Sequence, residues 1–196
     1  MLLSRKKLYQ ICLLCIVYRD KFERINTMYS YMRNVSGAPQ PNRAELHFSN
    51  EAPPIEKVGS VFVYAFNSKN ELLMAKEPRG TWDIPGGGRE QGETIEETAI
   101  RETLEEACVK VKDVQVVAYQ KLIVKGDKPE GYKKPFPESC EVFVVANVEE
   151  ELTFVASEEM VDRNYFSIED AAHEDGIVFK NRHVIFDKIL ELKGLK

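Results

Sequence analysis

Apolar residues concentrate in two runs, 58–66 (VGSVFVYAF) and 140–148 (CEVFVVANV). Both are rich in valine and phenylalanine and read as strands, the first of them buried. The polar set 67–70 (NSKN) predicts a turn, and 71–75 returns as the second arm of a hairpin. Residues 82–84 read as a short strand and 85–88 (PGGG) as a loop. A helix is predicted over 95–107. Its Ile100, Leu104 and Ala107 cluster on one side, so that side is expected to face a core. Residues 111–124 predict another strand region and 125–137 a long polar loop. A short strand follows at 165–166, then a helical turn opened by Ser167 and a final amphipathic helix over 181–192. No internal repeat is visible. This mixed order of strands and helices predicts an α/β sandwich built on a mixed sheet.

The first 54 residues fit this pattern less well. Residues 36–54 carry Pro39, Pro41, Pro53 and Pro54 among many polar residues and read as a linker or extended arm. The division expected is therefore an N-terminal extension and linker over 1–54 and a compact domain over 55–196. Arg5-Lys6-Lys7 precedes an apolar run over 8–18, broken only by Gln10. The run is too short to span a bilayer easily. It has no A-x-A-like cleavage site and runs straight into Arg19-Asp20-Lys21, so a signal peptide is disfavoured. It reads as a peripheral segment: a short amphipathic helix, or an upstream extension with Met28 or Met32 beginning the domain proper.

Composition narrows the class. The chain has 196 residues, 43% hydrophobic and 30% charged, the profile of a soluble globular protein with one proper core. A net charge of −5 argues against a general nucleic-acid-binding surface. Four cysteines are too few and too scattered for a disulfide framework. Cys12 and Cys15 form a C-x-x-C, but no second pair completes a zinc site, and they read as small apolar residues in a hydrophobic segment. A reduced, cytoplasmic setting without membrane attachment fits.

Candidate chemistry lies in 87–109, GGREQGETIEETAIRETLEEACV, where an acidic helix follows a glycine-rich turn. Glu102, Glu105 and Glu106 are spaced i, i+3, i+4 and share one helical face at about 100° per residue. Crowded carboxylates are tolerated where the face is well solvated or a cation neutralises it. Hard divalent ions such as Mg²⁺ are often held by a few carboxylates plus substrate phosphates. The stretch reads as a place where metal meets phosphate. Glu96 and Glu97 read instead as a solvated face, and Thr94 with Glu97 makes a capping box at the helix start.

The order of residues resembles the Nudix box, G-x(5)-E-x(7)-R-E-U-x-E-E-x-G-U, with U a bulky apolar residue. Gly87, Glu93, Arg101-Glu102, Glu105-Glu106 and Val109 take their places in it, and every charged position is matched. Thr103 stands at an apolar position, where its methyl group can still pack. Cys108 replaces the last glycine, which ends the helix where a left-handed conformation often favours glycine. Trp82-x-Ile84-Pro85-Gly86-Gly87 matches a common lead-in to the box. The resemblance covers about 55–192 and implies a Nudix-type α/β/α sandwich with a mixed sheet between helices.

It further implies hydrolysis of diphosphates that join a nucleoside to another group. Glu102, Glu105 and Glu106 would bind one or more Mg²⁺, with Mn²⁺ as substitute, and the Gly86 carbonyl would be a further ligand. Arg101 would orient a box carboxylate. Glu93 would anchor the loop or reach a metal through water. The general base would be a box glutamate or an acid of a later loop, and Glu158 and Glu159 stand at about the right place; a solvated acidic turn explains them equally well. Trp82 reads as core packing or as a base-stacking platform, which with Glu93 makes it a substrate-side candidate. His47, His173 and His183 show no metal spacing. Lys128, Lys133 and Lys134 would suit a phosphate-rich ligand, though solubility explains them too.

Two other readings stand beside this one. Non-catalytic Nudix-like binding modules typically lose box glutamates, and this chain keeps them all. Isopentenyl diphosphate isomerases share the fold and use an active-site cysteine, but neither Cys108 nor Cys140 sits in a matching motif. ADP-ribose, oxidised nucleoside triphosphates, dinucleoside polyphosphates and capped RNA are not separated by the sequence. The partner expected is a small-molecule nucleotide, and a homodimer is left open.

Overall fold

The centre of the sheet is set by the two runs that stand out in the sequence. The computed structural model of the chain describes residues 26–33, 38–178 and 182–196. The apolar run 8–18 and the Cys12/Cys15 pair fall outside them. Strand β3 (Val58–Phe66) and strand β8 (Glu138–Glu151) pair in parallel from Val58↔Cys140 to Phe66↔Asn147. Alternate residues of a strand point to opposite faces, and both faces here are apolar. Val61, Val63, Ala65, Val142, Val144 and Ala146 form one core. Tyr64, Phe66 and Phe143 belong to a second core on the other face.

Around this pair the sheet runs in the order β1 (Asn26–Arg33), β2 (Asn42–Ser49), β7 (Val109–Val124), β8, β3, β4 (Leu72–Lys76), β5 (Trp82–Asp83). Strand β6 (Gly86–Gly88) pairs with β3, and β9 (Asp162–Phe166) pairs with β4. All pairings but β3–β8 are antiparallel. Helix α1 (Ile95–Ala107) packs on the first core. Helices α2 (Ile168–Ala171), α3 (Asp175–Val178) and α4 (Arg182–Lys193) lie on the second, where Ile185, Phe186 and Ile189 are buried. The architecture is the expected α/β/α sandwich with a mixed sheet. Among the described residues no helix is long and apolar enough to cross a membrane.

The β3–β4 hairpin closes as its sequence predicts. Asn67 Oδ1 accepts from the Lys69 and Glu71 amides, and Asn70 takes the left-handed conformation at φ 61°.

Three expectations are corrected. Residues 42–49 are not linker: β2 pairs with β7 from Asn42↔Val124 to Phe48↔Ala118, and Ala44, Leu46 and Phe48 are buried. The sequence NRAELHFS alternates polar and apolar positions, the pattern of a half-buried strand; the flanking prolines hid it. The sheet is thus continuous across residue 55. Second, the PGGG segment is not wholly loop, because Gly86–Gly88 forms β6 against Ser60, Val61 and Phe62. Third, the inward side of α1 is centred on Ala99, Thr103 and Ala107, while Ile100 and Leu104 are only half-buried. Ala107 is common to both faces, so the helix is turned by less than the ~100° of one residue step, enough to carry Glu102 and Glu106 toward the sheet. Thr103 is fully buried, with its hydroxyl donating to the Ala99 carbonyl at 2.8 Å. Threonine therefore serves at an apolar position because α1 itself satisfies its polar atom.

Candidate functional site

Glycines bring β6 against the acidic helix. A Cβ on Gly86 would lie 2.4 Å from the Val61 carbonyl oxygen, and one on Gly87 would lie 2.6 Å from both Glu102 carboxylate oxygens. Only glycine allows that approach. The Gly86 amide donates to Glu106 Oε2 at 3.0 Å, which ties the end of α1 to β6. Thr94 caps α1 through the full capping box with Glu97, so Glu97 serves the helix start as expected.

Arg101 is the keystone of the loop and helix. Its Nε and Nη2 grip Glu93 at 2.7 and 3.0 Å. Its Nη1 donates to Glu102 at 2.8 Å and Glu105 at 3.0 Å, and Nη2 also reaches the Gly88 carbonyl at 2.8 Å. These bonds to carboxylates hold the Arg101 proton even more firmly than usual. Glu93 further accepts from Thr98 Oγ1 and the Glu90 amide, both at 2.9 Å. Arg101 above all depresses its carboxyl to about 2. Of the two roles open to Glu93, the geometry favours anchoring the loop.

The three glutamates expected to share a face of α1 differ in environment. Glu105 is exposed, and among the described residues its ion-pair partner is Arg101. Glu102 is 7% exposed, and burial pushes its carboxyl upward against the pull of Arg101. Glu106 is pushed up to about 8, chiefly by burial. The Gly86 amide opposes that shift, while the charges of Glu102, Asp83 and Glu159 add to it. Among the described residues Glu106 has no ion-pair partner. A desolvated carboxylate beside other acids, with all-oxygen donors around it, is the chemistry that a hard divalent cation satisfies. Glu102, Glu105, Glu106 and the Gly86 carbonyl fit that ion as a donor set. Among the described residues no three carboxylate, histidine or cysteine side chains converge on one point.

Glu158 and Glu159 lie in an exposed turn braced by Ser157, whose hydroxyl accepts from the Glu159 and Met160 amides. Glu159 is close enough for its charge to reach Glu106. Trp82 packs edge-on against Phe166 at 5.1 Å with Lys76 over its ring, consistent with a packing role. His47 stacks on Tyr119, and His173 and His183 are exposed, away from the box carboxylates' contacts.

Sequence reasoning missed two groups beside the site. Asp83 pairs with buried Arg182, whose guanidinium lies 4.3 Å over the Phe62 ring. Asp83 occupies the unspecified position of the lead-in, and Arg182 opens a helix whose charged residues look solvent-facing. Neither carried a signal. Arg163 was missed as well: from β9 it donates to the carbonyls of Ala107, Cys108 and Leu152.

The fold is a mixed sheet between helices, with a glycine-rich strand feeding a carboxylate-bearing helix. The NUDIX domain family matches residues 56–187, and the chain belongs to it. It is 26% identical over 113 residues to the NAD-capped RNA hydrolase NudC of Erwinia tasmaniensis, covering 56% of this chain and 39% of that protein. It is 35% identical over 71 residues to the RNA pyrophosphohydrolase of Actinobacillus succinogenes, covering 36% of each. The chain thus spans well under half the length of these curated relatives. A crystal structure of a mutant Bacillus subtilis pyrophosphohydrolase, BsRppH, superposes with a TM-score of 0.61 over 86% of this chain and 100% of that one. At 16% identity that likeness is one of fold.

Two consequences can be measured without substrate. Cys108 is left-handed, at φ 52° and ψ 41°, with its amide reaching the Leu104 and Thr103 carbonyls. A Cβ in that region costs about 1 kcal/mol that glycine avoids. Cys108→Gly is therefore expected to raise the melting temperature by about 2–4 °C; a clear drop would mean that the cysteine side chain stabilises more by packing than it costs in backbone strain. The second concerns Glu106. Folded, it keeps its proton up to about 8; the ordinary value is 4.5. Between these values the folded state binds more protons than the unfolded one, so stability of the metal-free protein should fall as pH rises through that window. Melting curves in chelator from pH 5 to 9 should show the decline, and Glu106→Gln should flatten it. Equal slopes in both proteins would contradict this environment for Glu106.

Proposed function

We propose that the chain is a Mg²⁺-dependent Nudix hydrolase. It would cleave the pyrophosphate linkage of a nucleoside diphosphate joined to another moiety. The observation that carries this reading is the pairing of Glu106, a half-buried carboxylate with no ion-pair partner among the described residues, with Glu102 and Glu105 on a helix that Arg101 braces. Glu102, Glu105, Glu106 and the Gly86 carbonyl would hold Mg²⁺, or Mn²⁺ in its place. The bound ion would supply charge neutralisation at the phosphates and a more acidic water.

The chain's own residues do the rest. Arg101 and Glu93 fix the loop, so β6 and α1 meet the phosphates in one geometry. Glu106 would have to release its proton to hold the ion, so affinity for the ion would rise with pH. Glu159, on the turn opposite, is the candidate to take a proton from attacking water, since its carboxylate is exposed and near Glu106. Trp82 and the lysine-bearing loop 125–137 stand as substrate-side candidates. Relatives named for NAD-capped RNA and for RNA pyrophosphate hydrolysis support a nucleotide diphosphate class. The net charge of −5 favours a small nucleotide over a long nucleic acid. Free Cys108 and Cys140 are consistent with a reducing, cytoplasmic setting.

A panel of nucleotide diphosphate derivatives with Mg²⁺ tests the reading, with products separated by chromatography. Turnover of at least one member to a nucleoside monophosphate or related fragment is expected. Tight binding of a member without any turnover would instead favour a nucleotide-binding module.

A further inference from the structure

The end of the box helix is built differently from the motif. The usual glycine is Cys108, and the carbonyls that it leaves pointing outward are collected by one side chain. Arg163 Nη1 donates to the Ala107 carbonyl at 2.7 Å and the Cys108 carbonyl at 2.9 Å, and Nη2 donates to the Leu152 carbonyl at 2.8 Å. The Cys108 carbonyl also accepts the Leu152 amide at 2.9 Å. The Arg163 side chain is 15% exposed, and Glu151 lies 3.6 Å from it. A planar guanidinium can satisfy several carbonyls at once, and a cation is favourable at a helix C-terminus.

This fork joins three parts of the site. Ala107 follows Glu106 directly, so the bond to its carbonyl fixes the last turn of α1 where Glu106 points at Gly86. Leu152 opens the segment that leads to the Glu158–Glu159 turn. Arg163 lies just beyond that turn, on β9, where it sits opposite Ala75 of β4. The far end of the same segment is pinned by the Val161 amide on the Lys76 carbonyl at 2.8 Å. One residue therefore ties the acidic helix to the root of the acidic turn.

We propose that Arg163 is a positioning residue: it sets the last turn of α1, and with it Glu106, against the segment that carries Glu159. The proposal rests on the hydrolase reading for its kinetic consequence but not for its effect on metal binding. Lysine is a poor replacement, because one ammonium cannot reproduce a planar fork to three carbonyls.

The test measures Mn²⁺ affinity without substrate, by calorimetry, together with kcat and KM, in wild type, Arg163→Met and Arg163→Lys. Removing a residue that orients metal ligands typically costs ~10–100-fold in metal affinity or activity. Arg163→Met is expected to weaken Mn²⁺ binding about 10-fold and lower kcat by a similar factor, with KM for the nucleotide within about threefold of wild type. Arg163→Lys should recover only part of either loss. A folded Arg163→Met protein with both Mn²⁺ affinity and kcat within about twofold of wild type would overturn the proposal. Should Arg163→Met not fold, the same criterion applies to Arg163→Lys. If wild type turns over no substrate but Arg163→Met still weakens Mn²⁺ binding, the positioning role stands and the hydrolase reading falls.

Discussion

Glu106→Gln is expected to lower kcat by about 10²-fold or more, the scale seen when a major electrostatic group is removed from an active site, while the fold stays intact. Glutamine keeps the shape of the side chain and can still accept the Gly86 amide, so β6 and α1 remain joined. It cannot take the negative charge that an incoming cation requires. Because Glu106 already holds its proton up to about 8 in the metal-free protein, a neutral amide suits the empty site and should not destabilise it at neutral pH. Activity and stability are thus expected to part company at this position. Glu105→Gln should lower kcat as well, although Glu105 is exposed and held by Arg101 alone among the described residues. Glu96→Gln should change turnover less than about twofold, since Glu96 is an exposed residue off the metal face. Steady-state kinetics with a circular dichroism control separates these outcomes. Equal losses at Glu96 and Glu106 would refute the assignment of the face.

Arg101→Met is expected to damage both fold and activity. It would strip the cation from Glu93, Glu102 and Glu105 and leave the Gly88 carbonyl without its donor. Glu93 and Glu102 are largely buried, at 17% and 9% side-chain exposure. Breaking such a cluster from one side costs about 3 kcal/mol, which in a chain of this size lowers the melting temperature by roughly 6–12 °C. The loop 88–94 would lose its brace to α1, so kcat should fall even at temperatures where the protein is folded. Arg101→Lys should restore little, because a single ammonium cannot span Glu93, Glu102, Glu105 and Gly88. A melting curve and kcat unchanged in Arg101→Met would show that the clamp contributes to neither.

What could be read from the sequence follows from how local the physics is. The box helix begins and ends where its residues say, because Thr94 and Glu97 cap it and Cys108 turns the chain left-handed. The hairpin at Asn67 is set by its own side chain in the same way. Strand β2 carries its alternation in Ala44, Leu46 and Phe48, but the prolines on either side mark the stretch as linker, and its partner β7 lies far along the chain. The rotation of α1 was misjudged for a related reason. Ile100 and Leu104 look like the core face by hydrophobicity, yet fully buried Ala99 and Ala107 are what the helix sets against the sheet, with Ile100 only at the edge of that core, and Glu102 is buried and Glu106 half-buried as a result. The site followed the same division. Glu102, Glu105, Glu106 and Arg101 were legible from spacing along one helix. Asp83, Arg163 and Arg182 were not, since each meets its partners across long stretches of chain.

The most direct measurement is turnover of a nucleoside diphosphate derivative by protein stripped of metal with EDTA, then supplied with Mg²⁺ or Mn²⁺. Activity should vanish in EDTA and return with either ion, and Glu106→Gln should stay about 10²-fold or more below wild type at any ion concentration. Full turnover by the stripped protein in EDTA would contradict metal-dependent hydrolysis at the carboxylate face of α1.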